Sequence, residues 1–70
     1  MSEFGNNVKR LRQKKKLTQR DLASKLDVSK STVGKWEASD TIPDAEGLEA
    51  VAGFFGVPVY ALFKEPKQSS

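Results

Sequence analysis

The segment QRDLASKLDVSKSTVGKWE constrains the fold more than any other part of the chain. It contains two runs of apolar residues at helical spacing, separated by too few residues for anything but a sharp turn. Thr18 followed by Asp21 is a capping-box pattern, which predicts the start of the first helix. Ser29 is a suitable N-cap for the second helix. We therefore predict two short amphipathic helices, over residues 19–26 and 30–38.

The two predicted helices must cross closely, and the residues between them suit that geometry. Ala23 is small where the helices approach each other. Asp27 is expected in the left-handed backbone conformation, which aspartate tolerates better than bulkier residues. Two helices joined in this way form a helix-turn-helix, whose second helix can enter the major groove of DNA.

The outer face of the second helix carries side chains that donate hydrogen bonds and none that is negatively charged. They are Lys30, Ser31, Thr32 and Lys35. This face can contact DNA, and a solvated helix surface is the alternative interpretation. Gly34 lies near the same face, where it either permits close approach to the DNA backbone or is a tolerated weak point in the helix.

The distribution of charge favours a polyanionic partner. The chain has a net charge of +3, but residues 9–37 contain ten Lys or Arg and three acids, a balance of +7. Residues 38–63 contain four acids and no basic residue, a balance of −4. A basic segment that includes the helix-turn-helix attracts phosphates. For residues 14–16, three consecutive lysines, a solvated helix end is an equally good explanation.

Composition excludes several classes of protein. Seventy residues make one small domain with a marginal core. The chain contains no cysteine and no histidine, so we expect no disulfide, no metal site, no cofactor and no enzymatic activity. No apolar run reaches the ~18 residues of a membrane span, and no small-molecule ligand is evident. We expect a soluble cytoplasmic protein from a prokaryote or phage.

The remaining residues predict an all-α domain of five helices over residues 1–63. Helix 1 is expected over residues 4–16. Asp44 should cap helix 4, which runs to about Phe55 and stops at Gly56, with Ile42 tucked inward in the preceding loop. Helix 5 is expected over residues 58–63. Residues 64–70 should be a flexible polar tail or the start of a linker.

The chain resembles the lambda-type phage repressor and Cro family of helix-turn-helix regulators. The resemblance rests on VKRLRQKKKLTQRDLASKL, VSKSTVGKWE and IPDAEGLEAVAGFFGVPVYALF, and it extends over about residues 4–63. It implies a compact five-helix, lambda-repressor-like domain that binds double-stranded DNA. Two departures from the family pattern are Lys16 and Asp27, which stand where the family usually has glycine. A third is Asp40, in a loop that often carries a basic residue.

The resemblance also implies roles for individual residues. Arg12 and Glu37 match an ion pair that joins helix 1 to helix 3. The positions that reach base edges are Lys30, Ser31 and Lys35. The positions expected at phosphates or the DNA backbone are Gln19, Arg20, Ser29, Thr32, Ser39 and Thr41. For Ser29 and Thr32, flanking bases are the alternative.

The predicted function is that of a transcriptional regulator, in particular a repressor. We expect it to bind a palindromic operator as a dimer that is weak in solution and becomes more stable on DNA. Candidate dimer contacts are the apolar residues Phe54, Val57, Val59, Tyr60 and Phe63, with Phe54 facing outward because a helix cannot direct adjacent residues to the same side. One alternative is that the chain is the DNA-binding half of a longer repressor. A different class of function is a protein-interaction module, such as an antitoxin-like domain.

Overall fold

The computed structural model describes residues 3–64, which form four α-helices and a short 3-10 helix. The α-helices are α1 (Glu3–Lys14), α2 (Gln19–Leu26), α3 (Lys30–Ala38) and α4 (Ala45–Phe55). The 3-10 helix spans Val59–Phe63. The described residues contain no strand, and the domain is therefore all-α there, as the sequence predicts.

Local side-chain caps start three of the helices at the predicted residues. The Thr18 hydroxyl accepts a hydrogen bond from the Asp21 amide at 3.0 Å, and the Asp21 carboxylate accepts one from the Thr18 amide at 2.9 Å. This backbone hydrogen bond from Thr18 lowers the pKa of Asp21. Ser29 and Asp44 each accept a hydrogen bond from an amide in the first turn of α3 and α4. These caps satisfy amides that a helix leaves without an internal partner.

Two predicted helix boundaries are wrong at the ends of the domain. Helix α1 ends at Lys14 and not at Lys16, because Lys16 adopts a left-handed conformation with φ 62° and turns the chain toward α2. The predicted helix 5 is a 3-10 helix, in which the Ala61 amide bonds to the Pro58 carbonyl three residues back. Its five residues are too few for a stable α-helix, and Pro58 lies before the helix with an extended backbone.

The core brings all five elements together. Its fully or nearly buried apolar residues are Phe4, Val8, Leu22, Ala23, Val33, Trp36, Val51, Ala52 and Leu62. The Phe4 ring lies edge-on to Trp36, with 5.8 Å between centroids, and 5.7 Å from the Phe63 ring. Helix α1 thus contacts both α3 and the 3-10 helix. This packing fixes the position of α3 within the domain.

A buried amide joins the two ends of the described chain. Asn7 on α1 donates hydrogen bonds to the Leu62 carbonyl at 2.9 Å and to the Lys64 carbonyl at 2.7 Å. Its side chain satisfies backbone carbonyls that the short 3-10 helix cannot pair internally. No local pattern in the sequence predicts this contact, which spans more than fifty residues.

Two apolar residues lie elsewhere than predicted. Ile42 is 46% exposed and borders an open cleft of about 370 Å³ between α3 and α4. Phe54 does not face outward, since both Phe54 and Phe55 are half-buried against the core. Their rings contact each other edge-on, with 5.1 Å between centroids.

Replacing Gly53 with alanine should stabilise the domain by about 0.5–1 kcal/mol, because glycine in a helix interior loses more backbone entropy on folding. Apart from its chain neighbours and the backbone of α4 itself, a β-carbon at Gly53 would meet no atom within 4 Å. Thermal unfolding monitored by circular dichroism measures the change. Gly5→Ala is the matched control and should destabilise the domain by about 1–3 kcal/mol, because its β-carbon would overlap the Trp36 carbonyl oxygen. A lower thermal-unfolding midpoint for Gly53→Ala would contradict the placement of Gly53 at an open position inside α4.

Candidate nucleic-acid interface

Helices α2 and α3 pack against each other around a tight left-handed turn. Asp27 has φ 59°, as predicted, and the Val28 amide bonds to the Ala23 carbonyl at 3.0 Å. Ala23 is buried at the crossing, where a larger side chain would separate the helices. This is the geometry of a helix-turn-helix, with α3 as its second helix.

The outer face of α3 is accessible. Lys30, Ser31 and Lys35 are exposed, and the opposite face buries Val33 and Trp36. The three predicted base-reading side chains therefore lie on one helix and outside the core. The ammonium groups of the two lysines and the serine hydroxyl can donate hydrogen bonds to guanine or phosphate oxygens.

The hydroxyl groups next to this face already have partners within the domain. The Ser29 and Thr32 hydroxyls lie 2.9 Å apart at the start of α3. At its other end, the Ser39 hydroxyl donates to the Lys35 carbonyl at 2.7 Å, and the Thr41 amide donates to the Ser39 hydroxyl oxygen at 3.3 Å. The hydroxyls at both ends of α3 therefore have hydrogen-bond partners within the domain. Their contacts with a DNA backbone stay predictions.

A buried ion pair fixes α3 to α1. Arg12 Nε donates to Glu37 Oε2 at 2.7 Å and Arg12 Nη2 to Glu37 Oε1 at 3.0 Å, so the pair is bidentate. The side chains are only 11% and 4% exposed, and the hydrogen bond to Glu37 raises the pKa of Arg12. Arg12 Nη1 also donates to the Leu17 carbonyl at 2.8 Å. One guanidinium group thus holds α1, α3 and the segment leading into α2.

Gln19 joins the same cluster through a contact that no sequence pattern predicts. Its Nε2 atom donates to Glu37 Oε1 at 3.1 Å and leaves its second amide hydrogen for another acceptor. Gly34 faces this side chain, since a β-carbon there would lie 3.7 Å from Gln19 Oε1. A β-carbon at Gly34 would therefore fit at ordinary contact distance. The remaining predicted backbone contact on α2, Arg20, is exposed.

The candidate dimer residues differ in their exposure. Tyr60 is 67% and Phe63 40% exposed. Phe54, Val57 and Val59 are half-buried and pack against the core. The accessible apolar surface at this end of the domain is therefore centred on two aromatic residues and is smaller than the sequence suggests.

Sequence and structure comparisons agree with this geometry. Residues 8–62 match the family model described as helix-turn-helix. The chain belongs to the lambda-type repressor and Cro family of helix-turn-helix proteins. Over 57 residues it is 39% identical to the HTH-type transcriptional activator BcrR of Enterococcus faecalis. Over 61 residues it is 39% identical to the immunity repressor protein of Bacillus phage phi105. These matches cover 81% and 87% of this chain.

A solved structure has the same fold. The SOS-response transcriptional repressor LexA from Eubacterium rectale superimposes with a TM-score of 0.83 at 25% identity, over 96% of this chain and 71% of that one. The matched regions span only 28% and 42% of the lengths of BcrR and the phi105 repressor. The family consists of DNA-binding transcriptional regulators, and this domain is therefore a regulator domain and not an enzyme.

The described residues contain neither a candidate metal cluster nor a helix capable of crossing a membrane. No group of three or more acidic, histidine or cysteine side chains among residues 3–64 is arranged to hold a metal ion. No helix in that range is both long and apolar enough to span a bilayer.

The Arg12–Glu37 pair should show strong coupling in a double-mutant cycle. Arg12→Ala alone should destabilise the domain by about 3–5 kcal/mol, because it leaves the Glu37 carboxylate buried without its main partner. Chemical denaturation of the two single variants and the double variant gives the coupling energy. The exposed Asp21 and Lys25 provide a control pair, whose coupling should be below about 1 kcal/mol. Coupling near zero for Arg12 and Glu37 would mean that the pair does not fix α3.

Proposed function

We propose that this domain represses transcription by binding a palindromic operator as a dimer, with one α3 helix in the major groove of each half-site. The observation that carries the proposal is the exposed face of Lys30, Ser31 and Lys35 on a helix whose other face is buried and fixed by Glu37. Family membership supports DNA binding, and the phi105 relative is itself described as an immunity repressor.

Phosphate contacts supply most of the affinity in this proposal, and base contacts supply the specificity. Gln19 is assigned to a phosphate through its second amide hydrogen, and Arg20 through its guanidinium group. Ser29, Thr32, Ser39 and Thr41 surround α3 and can contribute weaker backbone contacts. Asp40 would repel a phosphate, so any contact from that loop has to come from hydroxyl or backbone amide groups.

Lys30 and Lys35 are assigned to base edges, and their removal should change sequence preference. Lysine favours the O6 and N7 atoms of guanine, so we expect guanine at one or two operator positions. Lys30→Ala and Lys35→Ala should each cost about 1–3 kcal/mol on the best operator and relax preference at one base pair. The operator is first selected from a random DNA pool, and affinities are then measured by fluorescence anisotropy on single-base variants.

Two control variants make this measurement decisive. Gln19→Ala should weaken binding to all sequences about equally, because a phosphate contact carries no base information. Lys64→Ala removes the same charge outside the helix-turn-helix and should leave base preference unchanged. A uniform loss of affinity for Lys30→Ala and Lys35→Ala would overturn their assignment as base readers.

A dimer is proposed because one helix-turn-helix covers only a half-site, and half-sites lie about 34 Å apart on one face of DNA. The exposed aromatic residues Tyr60 and Phe63 lie on the 3-10 helix and outside the basic α2–α3 unit. Half-buried Phe54, Val57 and Val59 extend this surface. So small a surface is suited to a weak dimer that forms mainly on DNA, since stable interfaces usually bury about 1,200 Å² or more.

Sedimentation of the protein with operator DNA should give two subunits per palindrome, and the free protein should be a monomer or weak dimer. Tyr60→Glu should abolish cooperative binding without unfolding the domain, because this side chain is largely exposed. Glu49→Ala, an exposed change on α4, is the control and should leave cooperativity unchanged. One subunit per full palindrome at saturation would rule out the dimer.

The alternative of a protein-interaction module predicts a different response to salt. Lysine and arginine contacts with phosphates make DNA affinity fall steeply as salt concentration rises. A steep salt dependence of binding to a selected operator would support the regulator. Its absence would favour the interaction module. The position of this domain within a longer repressor stays a prediction.

A further inference from the structure

Helices α1, α2 and α4 end with the same hydrogen-bond arrangement. In each, one residue adopts a left-handed conformation, and its amide bonds to the carbonyl three residues back. The next amide bonds to the carbonyl five residues back, at 3.0–3.1 Å. This is the Schellman motif. The left-handed residues are Lys16 with φ 62°, Asp27 with φ 59° and Gly56 with φ 71°.

The three left-handed residues are not equally suited to that position. Glycine adopts positive φ without a penalty, whereas a β-carbon comes too close to the following carbonyl oxygen. Aspartate offsets part of this cost because its short polar side chain can form local hydrogen bonds. Lysine has no such compensation. Of the three left-handed residues, Lys16 therefore keeps its side chain at the greatest conformational cost.

The location of Lys16 suggests what its side chain does. It precedes Thr18 and Gln19, the cap and first residue of α2, by only two and three residues. The segment is held in place by the hydrogen bond from Arg12 to the neighbouring Leu17 carbonyl. The Lys16 side chain is exposed. Gly56, in contrast, ends α4, a helix in the acidic part of the chain.

The neighbouring lysine, Lys15, already has a partner within the domain. Lys15 Nζ lies 5.6 Å from the centroid of the Phe54 ring on α4, where it makes a cation–π contact within the domain. Among residues 3–64, Lys16 has no ion-pair partner, so an external anion can neutralise its charge.

We propose that Lys16 binds a backbone phosphate of the operator, next to the phosphate assigned to Gln19. This assignment rests on the proposed DNA-binding function. Lysine acts here as a point charge on a flexible stem, so the contact adds affinity without base preference. The domain accepts a strained helix end because the side chain at this position contributes to DNA binding.

Lys16→Gly tests the assignment, because it should change stability and binding in opposite directions. Relief of the left-handed strain should raise the thermal midpoint by a few degrees. Loss of one phosphate contact per subunit should reduce the steepness of log K against log salt concentration by about 0.9 for each bound subunit, and so by about 1.8 for a dimer on the palindrome. Over a tenfold range of salt concentration, a change of about 0.9 in slope corresponds to about eightfold in affinity per subunit. The loss for each bound subunit should be the same for operator and unrelated DNA.

Three further variants separate charge, strain and position. Lys16→Arg should keep the wild-type salt slope, because the charge is retained. Asp27→Gly relieves a smaller strain of the same kind at the end of α2 and should raise the midpoint without reducing the slope. Lys14→Ala removes the same charge from the exposed last turn of α1 and should reduce the slope by clearly less than Lys16→Gly.

Two results would overturn the assignment while leaving the proposed function intact. One is that Lys16→Gly shows the same salt dependence of DNA affinity as the unaltered protein. Lys16 would then serve only to end α1. The other is that Lys14→Ala reduces the salt slope as much as Lys16→Gly does. The effect would then come from overall charge and not from a contact at Lys16. Absence of salt-dependent binding by the unaltered protein would instead overturn the proposed function itself, and the Lys16 assignment with it.

Discussion

The bidentate ion pair between Arg12 and Glu37 is the contact on which the candidate interface depends. Glu37 lies near the end of α3 and uses one carboxylate oxygen for both Arg12 and Gln19. Arg12 uses its remaining guanidinium nitrogen to hold the Leu17 carbonyl. The pair therefore fixes α3 against α1 and also positions the start of α2. A neutral side chain at either position would leave a buried group without its partner, which is costly in a core this small.

This arrangement links the interior of the domain to its surface. Gln19 is half-buried and bonded to Glu37, yet it retains a second amide hydrogen that a phosphate can accept. The side chains proposed to touch DNA are consequently not independent surface groups. Those on α3 are aligned by a buried contact on the opposite side of the same helix, and specificity requires that alignment because hydrogen bonds to base edges are directional.

Sequence reasoning succeeded where a structure is encoded within a few residues. The capping box of Thr18 and Asp21, the cap at Ser29 and the left-handed turn at Asp27 all lie where they were predicted. Helices α2 and α3 have the predicted boundaries for that reason. The Arg12–Glu37 pair was predicted from the family resemblance and is confirmed, although its spacing of 25 residues has no local signature.

The amino-acid sequence alone predicts the all-α architecture, the helix-turn-helix and the separation of basic from acidic residues, because helix caps and apolar periodicity act over one or two turns. The contacts of Asn7 with the Leu62 carbonyl and of Gln19 with Glu37 arise only when the helices pack together. The same packing sets the exposure of Ile42 and the half-burial of Phe54. These features depend on the rotation of each helix about its axis, which is set when all the helices pack together and not by any one of them alone.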